Sequence, residues 1–219
     1  MNIGVLDLQG DVSRHRAALL SLACDPVLVR NARQLDDSDG LIIPGGESTA
    51  LSLLLESSGL RSAVTERIGS GMPVFGTCAG MILLATSVLD GRDDQLPLGM
   101  IDITVRRNGY GRQLDSFETD LRIAALGEDP FRGVFIRAPV VVDAADGVEV
   151  LASLPGECPA GSTGAVLLRR GGILVSSFHP ELTDDARIHS LFAGMVAGPV
   201  VTDRATAAVQ ESTCSKRGI

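Results

Sequence analysis

The sequence predicts an α/β fold built on a mixed, largely parallel sheet. Three observations carry that expectation. Short apolar runs alternate with amphipathic stretches through the first third of the chain, the pattern of βαβ units. Hydrophobic residues make up 45% of the chain but aromatics only 3%, so the core must rest on Leu, Val, Ile and Ala, which suits strands covered by helices. At 219 residues the chain falls within the range of one such domain and can bury most of the surface its unfolded form exposes.

Ile3 to Leu8 reads as the first strand, and Val12 to Ala23, with a basic, polar first half, as the helix that follows it. Val27 to Val29, Leu41 to Ile43 and Pro73 to Phe75 are further buried strands, and a helix from about Ser48 to Leu55 starts straight out of a Pro-Gly-Gly turn. From Leu98 onward few helices interrupt the strand-like runs Ile101 to Val105, Val134 to Ile136, Val140 to Val142, Val148 to Leu151 and Ile173 to Phe178. The sheet is therefore expected to become partly antiparallel, with Arg170-Gly171-Gly172 turning a hairpin before Ile173.

A last helix is predicted with Thr183 as its N-cap and with Asp184 and Asp185 at the positive end of its dipole. Ile188, Leu191, Phe192, Met195 and Val196 form its core face, and Gly198-Pro199 ends the pattern. The expected organisation is one domain over residues 1–198 and a disordered or weakly attached tail over 199–219, with no internal repeat.

A formal charge of −8 and a pI near 4.8 argue against a nucleic-acid partner, which needs clustered Lys and Arg. The start lacks a basic signal region, and no stretch reaches the roughly 18 apolar residues that span a bilayer, so a cytoplasmic chain without membrane partners is expected. Cys24, Cys78, Cys158 and Cys214 form no C-x-x-C pair, which suggests neither a zinc knuckle nor a disulfide framework. His15, His179 and His189 are the chain's three histidines, so acid–base proposals reduce to a few combinations.

The strongest local signal is Gly76-Thr77-Cys78-Ala79-Gly80, where a strand enters a glycine-flanked residue and a helix leaves it, the layout of a nucleophile elbow. A helix start favours a thiolate and offers free backbone N–H groups, so Cys78 is a candidate nucleophile; Cys24, Cys158 and Cys214 are expected to be buried fillers or simply exposed. His179 follows a strand end and is the natural base, with Glu181 two residues on to fix its tautomer across Pro180. His15 and His189 are expected on the surface. Ile43-Pro44-Gly45-Gly46-Glu47-Ser48-Thr49 presents bare N–H groups, but it has no Lys as a phosphate cradle would, and Lys216 is the only lysine in the chain; an oxyanion or substrate loop is favoured.

Together GVLDLQG (4–10), PGGEST (44–49), GTCAG (76–80), ITVRRNGYGRQ (103–113), FIRAP (135–139) and HPELT (179–183) resemble the glutaminase subunits of pyridoxal 5′-phosphate synthase, within the class I, triad-type glutamine amidotransferases. The likeness runs from residue 3 to about residue 197. It implies a three-layer α/β/α, flavodoxin-like fold and hydrolysis of L-glutamine to L-glutamate and ammonia. The ammonia would pass to a separate (β/α)₈-barrel synthase subunit that makes pyridoxal 5′-phosphate from ribose 5-phosphate and glyceraldehyde 3-phosphate in vitamin B6 biosynthesis. Up to twelve glutaminases would decorate a dodecameric synthase core.

By matching motif the resemblance implies that Cys78, His179 and Glu181 are catalytic and that Gly46, Glu47, Ser48, Arg107, Ile136 and Arg137 line the glutamine site. It also implies an oxyanion hole from the backbone N–H groups of Gly46 and Ala79, activation contacts near Gln9-Gly10, and no metal or cofactor. Arg14 and Arg170 depart from the family pattern without touching the triad. The alternatives are a glutaminase serving another biosynthetic pathway and a non-catalytic interaction subunit that keeps the fold.

Overall fold

The computed structural model describes residues 1–92, 95–110 and 116–198. The tail expected over 199–219, with Cys214 and Lys216, and residues 111–113 of the VRRN segment lie outside the described residues.

The first half alternates as the sequence suggests: β1 (Asn2–Leu6), α1 (Val12–Ser21), β2 (Asp25–Val29), α2 (Ala32–Asp36), β3 (Gly40–Ile43), α3 (Ser48–Ser57), α4 (Leu60–Gly69), β4 (Val74–Thr77) and α5 (Ala79–Leu84). Strands dominate the second half: β5 (Ala85–Val88), β6 (Ile101–Arg106), β7 (Ser116–Leu121), β8 (Phe131–Ile136), β9 (Val140–Ala144), β10 (Glu149–Ser153), β11 (Ala165–Arg170) and β12 (Ile173–Ser176), closed by α6 (Arg187–Ala197). The central sheet has seven strands in the order β10-β11-β12-β4-β3-β1-β2. Pairing is parallel from β12 to β2 and antiparallel from β10 to β12.

Alternation along the strands sorts the core into two layers. Leu6, Leu41, Ile43 and Val74 face one side and pack with Leu51, Leu55, Val64 and Leu83 of α3 to α5. Ile3, Val5, Ile42 and Phe75 face the other and pack with Leu19 of α1 and with Ile188 and Phe192 of α6. This is a three-layer α/β/α sandwich, and both faces of the parallel strands are dry, which is why those strands read as unbroken apolar runs. Ile188 and Phe192 are fully buried and each contributes roughly 1.5–3 kcal/mol, enough to dock a helix of three turns.

Two expectations need correction. The runs at Ile101 to Val105 and Val140 to Val142 do not extend the central sheet; β6 joins β5 and β9 in a separate three-stranded sheet, and the run at Val134 to Ile136 lies in the β7–β8 hairpin. The reason is visible in burial, since β6 and β8 alternate buried with more open positions, whereas all four residues of β3 and of β4 are buried. Thr183 does not cap the last helix either. Its Oγ1 donates to the Pro180 carbonyl and accepts from the Asp185 N–H, closing a short turn, and Asp185 in turn binds the Arg187 backbone and guanidinium, so α6 begins at Arg187.

The hairpin predicted at Arg170-Gly171-Gly172 forms, with Arg170 paired to Ile173 and Gly171 at φ 55°. Its consequence for function lies at the far end of β12. Ser176 pairs with Thr77, so the chain leaves β12 and β4 side by side at the C-terminal edge of the parallel sheet.

Candidate active site

Cys78 stands immediately beyond β4 and is the residue that caps α5. Its N–H donates to the Ser176 carbonyl at 2.8 Å, and its own carbonyl accepts the Ile82 N–H at 3.2 Å, so the turn is pinned on both sides. The backbone is held at φ 49°, ψ −98°, a conformation that costs a non-glycine residue about 1–3 kcal/mol. Flanking glycines allow it: a Cβ on Gly76 would lie 2.7 Å from the Gly80 backbone, and one on Gly80 would run into the Ile43 carbonyl. Cys78 is 6% exposed, with Sγ 4.0 Å from the Ile136 carbonyl oxygen.

His179 arrives from β12 and is anchored through its N–H to the Val134 carbonyl at 2.8 Å. Its Nδ1 lies 2.7 Å from Glu181 Oε1, which leaves Nε2 for the thiol side, and Pro180 with Glu181 forms a short 3₁₀ turn that fixes the carboxylate two residues on. Gly45 closes the gap between the partners: a Cβ there would strike the His179 ring, lying 2.9 Å from Nδ1 and 3.3 Å from Cys78 Cβ. Burial of His179 favours the neutral ring, but hydrogen bonding and charge from Cys78 and Glu181 outweigh it and raise the imidazole to about 10. Burial likewise opposes the Glu181 charge, yet the hydrogen bond from His179 and the electrostatics of His15 and His179 hold its carboxyl below the usual range.

A cavity of about 360 Å³ opens over Cys78 and His179 and is lined by Gly46, Glu47, Ser48, Arg107, Ile136 and Arg137, together with Gln9, Ile82 and Asn108. The residues that the resemblance assigns to a glutamine site thus lie together around one cavity. Glu181 stands behind His179, and Ala79 opens α5, where a first-turn N–H has no partner within the helix. Gly46 sits at φ 153°, and a Cβ on it would collide with the Gln9 amide, whose Oε1 accepts the Glu47 N–H at 3.0 Å.

The carboxylate of Glu47 caps α3 by accepting from Thr49 N (3.0 Å) and Ala50 N (2.6 Å). Slight burial is outweighed by those N–H groups and by Arg107, so the carboxyl is lowered. Arg107 spreads its guanidinium over Glu47 Oε1 (3.1 Å), Gln95 Oε1 (2.8 Å) and Thr49 Oγ1 (3.1 Å). Gln95 carries no sequence signal, since it lies in an aperiodic stretch; Asn108 carries a weak one, as Asn tolerates the left-handed backbone seen here at φ 47°.

The surface expectation for His15 and His189 is wrong. Both are fully buried, with His15 Nδ1 2.9 Å from His189 Nε2 and His15 Nε2 3.5 Å from Glu181 Oε2. Helical spacing holds the missing signal: His15 lies four residues before buried Leu19, and His189 three before buried Phe192, so each shares a core-facing stripe. Cys24 is buried and Cys158 exposed, as expected for cysteines outside the site. Among the described residues no group of three or more His, Cys, Asp or Glu is placed to hold a metal, and no helix is long and apolar enough to cross a membrane.

A model of the SNO glutamine amidotransferase family matches residues 5–198. A protein named pyridoxal 5′-phosphate synthase subunit PdxT from Nocardia farcinica is 55% identical over 194 residues, covering 89% of this chain and 85% of that one. Another of the same name from Rhodococcus jostii is 50% identical over 196 residues, covering 90% and 97%. A crystal structure described as a glutamine amidotransferase superposes with a TM-score of 0.80 at 43% identity, covering 89% of this chain and 98% of its own. PurLQS from Thermotoga maritima shares the fold at 15% identity and a TM-score of 0.60, covering 88% of this chain and 97% of the matched one.

Proposed function

This chain belongs to the SNO glutamine amidotransferase family, and from that premise we propose that it hydrolyses L-glutamine to L-glutamate and ammonia as the glutaminase subunit of a pyridoxal 5′-phosphate synthase. The observation that supports this most is that Cys78 and His179 line one cavity, with Glu181 behind His179 at 2.7 Å and a rim of Glu47, Arg107 and Arg137. The ammonia is delivered to a barrel-shaped synthase subunit in the cytoplasm, in an assembly of up to twelve copies of each chain, where it enters pyridoxal 5′-phosphate for vitamin B6 supply.

In this reading Cys78 Sγ attacks the side-chain amide carbon, and the oxyanion accepts hydrogen bonds from the Gly46 and Ala79 N–H groups. His179 gives a proton to the nitrogen as the C–N bond breaks and ammonia leaves a glutamyl thioester. A water molecule then loses a proton to His179, attacks the thioester and releases glutamate with the thiol restored. Glu181 accepts from His179 Nδ1 throughout and keeps the same ring nitrogen facing the thiol. Arg107 is suited to the α-carboxylate of glutamine, and Glu47 or the Ile136 carbonyl to its ammonium group.

Glutamate release from glutamine, measured with and without a matching synthase subunit, tests the proposal. Release that rises with the synthase and vanishes in Cys78→Ala is the expected result. Release that ignores the synthase would sink the pathway assignment, and no release under either condition would sink the glutaminase.

A further inference from the structure

Two of the three histidines of this chain, His179 and His15, face the Glu181 carboxylate, and the third, His189, meets His15. Glu181 is 4% exposed; its Oε1 serves His179, while Oε2 makes no regular hydrogen bond among the described residues and faces His15 Nε2 at 3.5 Å. His15 comes from α1 and His189 from α6, two helices that cover the same face of the sheet, and their nitrogens meet at 2.9 Å. His189 is walled in by Phe75, whose ring stands edge-on at 6.2 Å, and Thr77 Oγ1 lies 3.5 Å from His15 Nε2, on the residue before Cys78.

We propose that His15, seated by His189, is a positioning residue for Glu181, so that the proposed triad continues inward as Cys78, His179, Glu181, His15, His189. The inference rests on the triad reading above. Electrostatics selects one arrangement of protons. An ionised carboxylate accepts and cannot donate, so His15 must present Nε2–H to Oε2; the opposite tautomer would set a lone pair against a buried anion. His15 Nδ1 is then an acceptor, and His189 Nε2–H donates to it. His189 Nδ1, a buried atom with no partner among the described residues, is left as a bare acceptor, the less costly kind of orphan.

Two neutral imidazoles thus point their N–H dipoles in series at Glu181, which stabilises its charge in a site that excludes water and holds Oε1 toward His179. Burial supports the neutral state, since it lowers His15 against the pull of Glu181 and lowers His189 to about 3. The charged and titratable groups facing this pair are Glu181 and His179 beyond β12 and Asp11 at the start of α1.

Three histidines make nitrogen NMR of the full chain tractable, and kinetics are read with the synthase subunit present. Nε2–H tautomers at His15 and His189 are expected between about pH 6 and 8, around the ordinary imidazole range, and the His15 signals should move in Glu181→Gln. His15→Leu should lower kcat roughly 10- to 100-fold at nearly constant KM and shift the acid limb of the kcat profile to higher pH, because Glu181 then protonates more readily. His15→Gln, which keeps an N–H donor, should recover most of the loss. An Nδ1–H tautomer at His15, or a His15→Leu profile with its acid limb unmoved, overturns the proposal, and the tautomer measurement decides if His15→Leu does not fold. Cys78→Ala separates the two readings: undiminished release there would remove the triad and this proposal together, whereas lost release beside an unmoved His15→Leu profile removes this proposal alone.

Discussion

Cys78, His179 and Glu181 stand beyond β4 and β12, neighbours in the parallel part of the central sheet, whereas Arg107 with Asn108 and Ile136 with Arg137 stand at the ends of β6 and β8, in the two small outer sheets. The catalytic wall is covered on both faces, and its turns are tied strand to strand through the Cys78–Ser176 and His179–Val134 backbone bonds. The rim carries two non-glycine residues in the left-handed region, Asn108 at φ 47° and Arg137 at φ 43°, and both Ile136 and Arg137 are exposed. Strain is present in both regions, at Cys78 as well as at Asn108 and Arg137; what differs is packing, which leaves the wall no play while Ile136 and Arg137 stand open to solvent at the cavity. Substitutions in the wall should change kcat, and substitutions in the rim should change KM.

Glu181→Gln should give the largest separation, a loss of about 10³–10⁴ in kcat with KM nearly unchanged, because the geometry survives and the charge does not. The same variant should lower the His179 titration midpoint from about 10 when followed by NMR, since one of the groups that raise it is gone. The sign for stability follows from that raised midpoint: protonated His179 stabilises the fold fully below its ordinary 6.5, and the contribution fades as pH rises through about 10. A Glu181→Gln enzyme that kept its kcat would break the comparison at its centre.

Gly45→Ala should come next, lowering kcat by about 10²-fold, because the new methyl group must push the His179 ring or Cys78 aside by a large fraction of an ångström. Unchanged kcat in steady-state assays would show that the wall yields more easily than its packing suggests. Arg107→Met should raise KM by roughly 10- to 100-fold and leave kcat within a few-fold, the loss of a charge-assisted contact at the rim. A fall in kcat alone would place Arg107 with the catalytic wall instead.

The smallest expected effect is the most diagnostic of strain. Arg137→Gly removes a left-handed non-glycine residue and should stabilise the chain by about 1 kcal/mol in a denaturant melt, after the entropy cost of glycine is subtracted, while KM rises modestly. A lower midpoint would mean that the Arg137 side chain stabilises the fold more than its backbone strains it.

Much of the catalytic wall is legible in the sequence because its signals are local. Gly76-x-Cys78-x-Gly80 and His179-Pro180-Glu181 are short stretches in which a turn, a strand end and a chemical group coincide, and the strand boundaries expected for β2, β3 and β4 fall within two residues of those observed. The rim residues Arg107, Ile136 and Arg137 are reached through family motifs, since nothing in an alternating strand says which of its ends will meet a distant loop. His15 and His189 escape because a helix shows its core face through Leu, Ile and Phe, and a histidine on such a stripe looks like a residue for water.

The order of residues along the chain settles the period of each element, the two-sided burial of the parallel strands, the nucleophile elbow and the base that follows β12, because these depend on neighbours in the chain. Folding in three dimensions is needed to settle that β6 and β9 leave the central sheet, that Gln95 braces Arg107, and that α1 and α6 bring His15 and His189 together behind Glu181. Those last contacts join residues separated by 12 to 174 positions, and their free energy is set by the desolvation of polar groups in a shared interior; helical spacing can place His15 and His189 on core-facing stripes but does not say which groups meet there.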